Sequence, residues 1–175
     1  MLLLVWRSSV ESWVRRLEPG PAGRPAQARG RLAAVETSHH DVAQGREIHD
    51  FTLPNGLAFS PNESLLYIDD SAQKHIRAFT VRNDGSLHEG RVLLDMASDD
   101  SGVPDGLKVD EGGNVFCTGP GGVWVCRADG TLLGRIVLPE LPANLAWGED
   151  GSVLFVTART SVYRLQTKTR GALLA

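Results

Sequence analysis

Asn55 and Asp105 occupy the same place in two copies of one short string, and both side chains offer oxygen. The copies read Pro54-Asn55-Gly56-Leu57-Ala58-Phe59 and Pro104-Asp105-Gly106-Leu107-Lys108-Val109; a third, Pro142-Ala143-Asn144-Leu145-Ala146-Trp147, has Ala143 there. An amide oxygen and a carboxylate brought to one point suit a hard cation such as Ca²⁺ or Mg²⁺. Asn-Gly and Asp-Gly are also good turn formers, so spacing alone leaves both readings standing. Asn144 in the third copy and Arg159 in Thr157-Ala158-Arg159-Thr160-Ser161 are candidate substrate contacts. Capping a turn is the competing role for Asn144, and a structural hydrogen bond the competing role for Arg159.

Other reactive side chains point nowhere in particular. His39-His40-Asp41 resembles a metal string, but adjacent histidines on a strand face opposite ways, and no third His or Cys follows at ligand spacing. A solvated loop is expected there. Asp69-Asp70 and Asp110-Glu111 end apolar segments and read as solvated turn residues. Serine nucleophile elbows, H-E-x-x-H pairs and phosphate loops are absent. Cys117 and Cys126 lie nine residues apart, in segments separated by Gly119-Pro120-Gly121-Gly122. A hairpin there sets Cys117 opposite Trp124 and Cys126 opposite Val115. The sulfurs are then diagonal neighbours, about 7–8 Å apart and beyond disulfide reach, so buried free thiols are expected.

The candidate ligands depend on the elements that carry them. From Phe51 onward, apolar residues alternate in short runs separated by turn residues, and the arrangement repeats. The first unit continues through L-L-Y-I-D-D, H-I-R-A-F-T-V-R and G-R-V-L-L-D, the second through N-V-F-C-T, G-V-W-V-C-R and L-G-R-I-V-L, and the third through V-L-F-V-T-A and S-V-Y-R-L-Q-T. Unit starts are 50 and 38 residues apart, the spacing of four-stranded β-propeller blades. Entry loops of the innermost strands converge on the central channel of such a fold, which brings positions 55, 105 and 143 to face one another. Three units fall short of the four or more blades that close a ring.

Composition excludes whole classes. The chain has 175 residues, 42% hydrophobic and 22% charged, as in one globular domain. A net charge of −3 and a pI near 5.9 give no electrostatic case for nucleic-acid binding. The longest apolar run, residues 1–6, is far too short to span a membrane, and it lacks the features of a signal peptide. A soluble, cytoplasmic protein is the expectation. Residues 1–46 carry seven Arg against four acids, leaving −6 for the remainder. Ser8, Ser9 and Glu11 could cap a short helix. Residues 19–31 hold six Pro or Gly in thirteen and read as a disordered linker; a single strand over 31–36 follows. The division expected is 1–45, a non-homologous N-terminal segment, and 46–175, a partial propeller.

Five strings within residues 46–170 resemble the regucalcin/gluconolactonase family: P-N-G-L-A-F-S-P, V-P-D-G-L-K-V-D, T-G-P-G-G-V-W-V, P-A-N-L-A-W and T-A-R-T-S-V-Y-R, in the family's order. The resemblance implies an all-β fold, part of a six-bladed β-propeller comprising about three C-terminal blades. It also implies hydrolysis of a sugar lactone with a divalent cation (Ca²⁺, Zn²⁺, Mn²⁺ or Mg²⁺). Family members hold that cation with a Glu, two Asn and an Asp. Asn55 matches the second Asn and Asp105 the Asp, which would also act as base. No stretch here matches the Glu or the other Asn, so the expectation is a lactonase impaired by that loss. Two alternatives come from the same residues: a non-catalytic propeller fragment that binds a partner or self-associates through its open edge, and an unrelated start joined to a truncated gene.

Overall fold

The structure is a computed structural model that describes residues 48–172. The chain divides into two units, Met1–His49 and Asp50–Ala175, and the strands of the described residues lie in the second. The helix, linker and strand expected over residues 1–45, and the His-His-Asp loop, lie outside the described residues.

Among the described residues, eleven strands form three antiparallel sheets in sequence order. The first blade is β1 (Pro54–Phe59), β2 (Leu65–Asp70), β3 (His75–Val81) and β4 (Leu87–Asp95). The second is β5 (Leu107–Val109), β6 (Val115–Gly119), β7 (Gly122–Cys126) and β8 (Leu132–Ile136). The third has three strands, β9 (Pro142–Gly148), β10 (Val153–Ala158) and β11 (Ser161–Gln166). Strands β1, β5 and β9 open their sheets and lie side by side, β1 against β5 and β5 against β9. This is the expected all-β, partial propeller, with no helix among the described residues.

One local device recurs in every blade. In Asp84-Gly85-Ser86, Asp129-Gly130-Thr131 and Asp150-Gly151-Ser152, the carboxylate accepts the N–H two residues on, at 3.0, 2.8 and 3.1 Å. The glycines take φ of 85°, 95° and 89°, a region costly to any residue with a Cβ. Asp-Gly followed by a hydroxyl residue is therefore a turn built from its own side chain.

Alternation along the strands sends side chains to two cores, one at each blade junction. Tyr67, Ile76 and Leu94 of the first blade meet Val115, Cys117 and Trp124 of the second. Phe116 and Val123, on the other face of the second sheet, meet Leu145, Leu154 and Val156 of the third. Cys117 pairs with Trp124 and Cys126 with Val115, as expected, and both thiols are buried and unpaired. The hairpin between them is tighter than expected: Gly119 pairs with Gly122, leaving only Pro120 and Gly121 in the turn.

After β11 the chain turns back onto the second blade. The Glu111 N–H donates to Arg170 O at 2.8 Å and the Ala172 N–H to Val109 O at 3.0 Å. Asp110 accepts from Thr169 Oγ1 at 3.0 Å and from the Asn114 main chain and side chain at 2.7 and 2.8 Å. Asp110 is thus buried and fully engaged, not the solvated turn residue its position implied.

Candidate functional site

The strings that open β1 and β5 are held together before their side chains meet. Asp70, at the end of β2, accepts N–H bonds from Thr52, Leu53, Ala72 and Gln73 at 2.6–3.1 Å. These tie the segment entering β1 to the β2–β3 turn. Burial acts to raise the Asp70 pKa, but the four donors outweigh it and lower it. The next residue, Ser71, donates from Oγ to Pro104 O at 2.6 Å and accepts from Asn55 Nδ2 at 3.3 Å. One buried hydroxyl therefore links Asn55 of the first blade to the residue preceding Asp105 of the second.

Asn55 lies near enough to Asp105 for its amide to pull the Asp105 pKa down. Asp105 is half-buried, and desolvation pushes its pKa up against the pull of Asn55. Asn144 lies beside them, since a Cβ on Gly106 would fall 2.5 Å from Asn144 Oδ1. That oxygen accepts the Leu145 N–H at 2.8 Å. Ala143 is tied in through its carbonyl, which accepts from Thr118 Oγ1 at 3.1 Å. Arg159 sits exposed in the turn between β10 and β11, at the end of the third blade where β9 begins. The structure thus links Asn55 through Ser71 to the residue preceding Asp105 and sets Asn144 against the residue following it; it shows no hydrogen bond from Arg159 to any of them.

Beneath this pair lies a residue that reading the sequence misplaced. Asp69 is fully buried on β2, with no solvated turn around it. Desolvation lifts its pKa from 3.8 to about 8, opposed by the Gly56 N–H and reinforced by the charge of Asp105. Cys117 Sγ donates to its Oδ2 at 3.8 Å, while Oδ1 has no hydrogen-bond partner. Burial likewise pushes the Cys117 thiol well up.

Asp69 gives stability a definite pH dependence. The unfolded chain releases this proton near pH 4 and the folded chain near 8, so the folded state binds more protons across that window. The stabilisation is fully present below the unfolded pKa and is lost as pH rises through the folded one, by up to about 1.4 kcal/mol per pH unit. Relative to Asp69→Asn, wild-type protein should lose stability progressively between pH 5 and pH 8. Urea midpoints at three pH values test this, and parallel profiles for the two proteins would refute it.

The donor chemistry of Asn55 and Asp105 fits a hard divalent cation: one amide oxygen and one carboxylate, the latter partly desolvated. The set is small. Among the described residues, no group of three or more His, Cys, Asp or Glu side chains converges on a metal position.

Successive antiparallel blades with adjoining inner strands define part of a β-propeller. Residues 19–160 match the SMP-30/Gluconolactonase/LRE-like region, and the chain belongs to that family. A gluconolactonase from Zymomonas mobilis is 38% identical over 128 residues, covering 67% of this chain and 36% of the relative. The structure of a gluconolactonase from Xanthomonas campestris superposes with a TM-score of 0.61 at 38% identity, covering 68% of this chain and 39% of that one. A calcium-binding regucalcin from Agrobacterium tumefaciens shares the fold, with a TM-score of 0.62 at 21% identity, covering 71% and 49%. The chain therefore spans less than half the length of these relatives.

Proposed function

We propose that these blades carry part of a metal-dependent centre that hydrolyses a sugar lactone. The meeting of Asn55 and Asp105 from consecutive blades carries the reading, and the family's gluconolactonases support it. Asn55 Oδ1 and the Asp105 carboxylate would hold the cation. When bound, it would supply Lewis-acid polarisation of the lactone carbonyl and stabilisation of the oxyanion.

The chain's own residues do the rest. Asp105 takes the proton from the attacking water, a task helped by desolvation that brings a carboxyl nearer to neutral pH. Ser71 fixes the spacing of the pair by holding Asn55 and Pro104 at once. Asn144, beside Gly106, and Arg159, at the same end of the third blade, contact the polar groups of the sugar. Two protein ligands bind a cation more weakly than four, since affinity follows ligand charge and number, so activity is impaired relative to full-length relatives.

The test is a thermal melt of the chain with and without millimolar Ca²⁺, Mn²⁺ or Zn²⁺, followed by gluconolactone hydrolysis in the cation that binds. Cation at 100 times its dissociation constant adds about 2.7 kcal/mol, an upward shift of several degrees. A melt indifferent to every cation, with no hydrolysis above background, would overturn the reading and favour a non-catalytic binding module.

A further inference from the structure

We propose that Lys108 makes an anion-binding position on the inner edge of the second blade, one that holds the carboxylate of an aldonate, the acid that lactone opening leaves behind. The choice of an aldonate rests on the function proposed above; the anion position itself rests on the strand that carries it.

Strand β5 opens the second sheet, so one of its edges pairs with β6 and the other is turned toward the inner strands of the adjoining blades. Main-chain groups of an antiparallel strand reach its partner at every second residue. The Thr118 N–H donates to Gly106 O at 2.9 Å and the Asp110 N–H to Asn114 O at 3.0 Å, so positions 106, 108 and 110 face β6. Leu107 and Val109 therefore present their carbonyls at the inner edge. Val109 O shows the direction: it accepts from Trp147 Nε1 of the third blade at 3.1 Å and from the Ala172 N–H at 3.0 Å.

The Lys108 ammonium is anchored at this edge. Its side chain starts on the face that Phe116, its cross-strand partner, turns to the third blade. It then folds back, and Nζ donates to Leu107 O at 2.9 Å, which brings the charge toward the end of β5 where Asp105 and Gly106 stand. An ammonium carries three donors. One is used here, and among the described residues no carboxylate forms an ion pair with Lys108. Lysine is seldom taken out of water without a counter-charge, yet Lys108 is half-buried. Desolvation pulls its pKa down, against the influence of Cys117. The remaining N–H groups suit the oxygens of a carboxylate, and an anion bound there would supply the missing charge. Lactone hydrolysis makes such an anion: water adds at the ring carbonyl carbon, the ring C–O bond breaks, and the ester becomes a hydroxyl and a carboxylate.

The test is a calorimetric titration of the full chain with gluconate in metal-free buffer, set against sorbitol, a polyol of the same length without the carboxylate. Gluconate should bind at least about tenfold more tightly than sorbitol, the scale of a charge-assisted hydrogen bond, and the preference should shrink as NaCl is raised. Lys108→Met keeps the length of the side chain and removes the charge, so it should abolish the preference and melt no lower than wild type. Should methionine not fold, Lys108→Gln, polar and uncharged, decides in its place. Absence of gluconate binding, equal binding of gluconate and sorbitol, or a preference that survives in the uncharged variant overturns the proposal. A gluconate preference lost on substitution, in a chain without hydrolysis, would sink the lactonase reading and leave the anion position standing. Hydrolysis without any gluconate preference would do the reverse.

Discussion

Asp105→Asn should lower gluconolactone hydrolysis by about a thousandfold, within the range ascribed to a positioned general base, and abolish the cation-induced rise in melting temperature. Without cation, its melting temperature should equal or slightly exceed the wild-type value. The two readouts separate because asparagine is nearly isosteric and still offers an oxygen to the Asn55 amide. It lacks the negative charge that would bind a cation and the basicity that would accept a proton from water. Folding loses little, since burial already disfavours the charged form of Asp105. Full hydrolysis in the variant would remove Asp105 from the mechanism. A lower cation-free melting temperature with an intact cation response would recast it as a structural carboxylate.

The second large effect concerns Gly56. An alanine Cβ there would press on the Asp105 carbonyl oxygen and on Asp69, and would lie 2.9 Å from the Leu107 nitrogen. Two of these neighbours are main chain in or beside an adjoining strand and cannot rotate away. Relief requires the first and second blades to separate, which opens the core shared by Tyr67, Ile76, Val115 and Cys117. Overpacking of this kind costs about 1–3 kcal/mol, and rigid neighbours place Gly56→Ala at the upper end. The melting temperature should fall by roughly 8 °C, and the cation response should vanish because Asn55 moves with its neighbour. A melting temperature within about 2 °C of wild type would show that the blade junction is looser than its geometry.

Much of this architecture is legible in the residues themselves. Alternation marks the strands, Asp-Gly marks the turns, and the three opening strings mark the repeat that places Asn55 and Asp105 together. The pairings of Cys117 and Cys126 follow from hairpin register alone. The buried aspartates are not legible in this way. Asp69-Asp70 and Asp110 end strands, where charged residues ordinarily meet water, so position alone argues for solvation. What buries them lies outside their own segments. The N–H groups around Asp70 come partly from residues 52 and 53, the hydroxyl on Asp110 from Thr169, and the thiol on Asp69 from Cys117. Aligning L-L-Y-I-D-D-S with N-V-F-C-T-G-P and V-L-F-V-T-A-R sets Asp69 against Thr118 and Thr157, and shows an acid where the fold otherwise uses a hydroxyl. Ser71 leaves no comparable trace, because the link it makes to Pro104 exists only once two blades stand side by side.

The return of residues 169–172 onto the second blade also determines how the chain bears load. Tension applied beyond Ala172 enters the middle sheet through the Glu111–Arg170 and Val109–Ala172 bonds before reaching β11. Peeling β11 from β10 one bond at a time, the weakest way to dismantle a sheet, is therefore deferred until this clasp has sheared. Mechanically, the second and third blades form one element, and the first blade is coupled to it through the junction beneath Asn55 and Asp105.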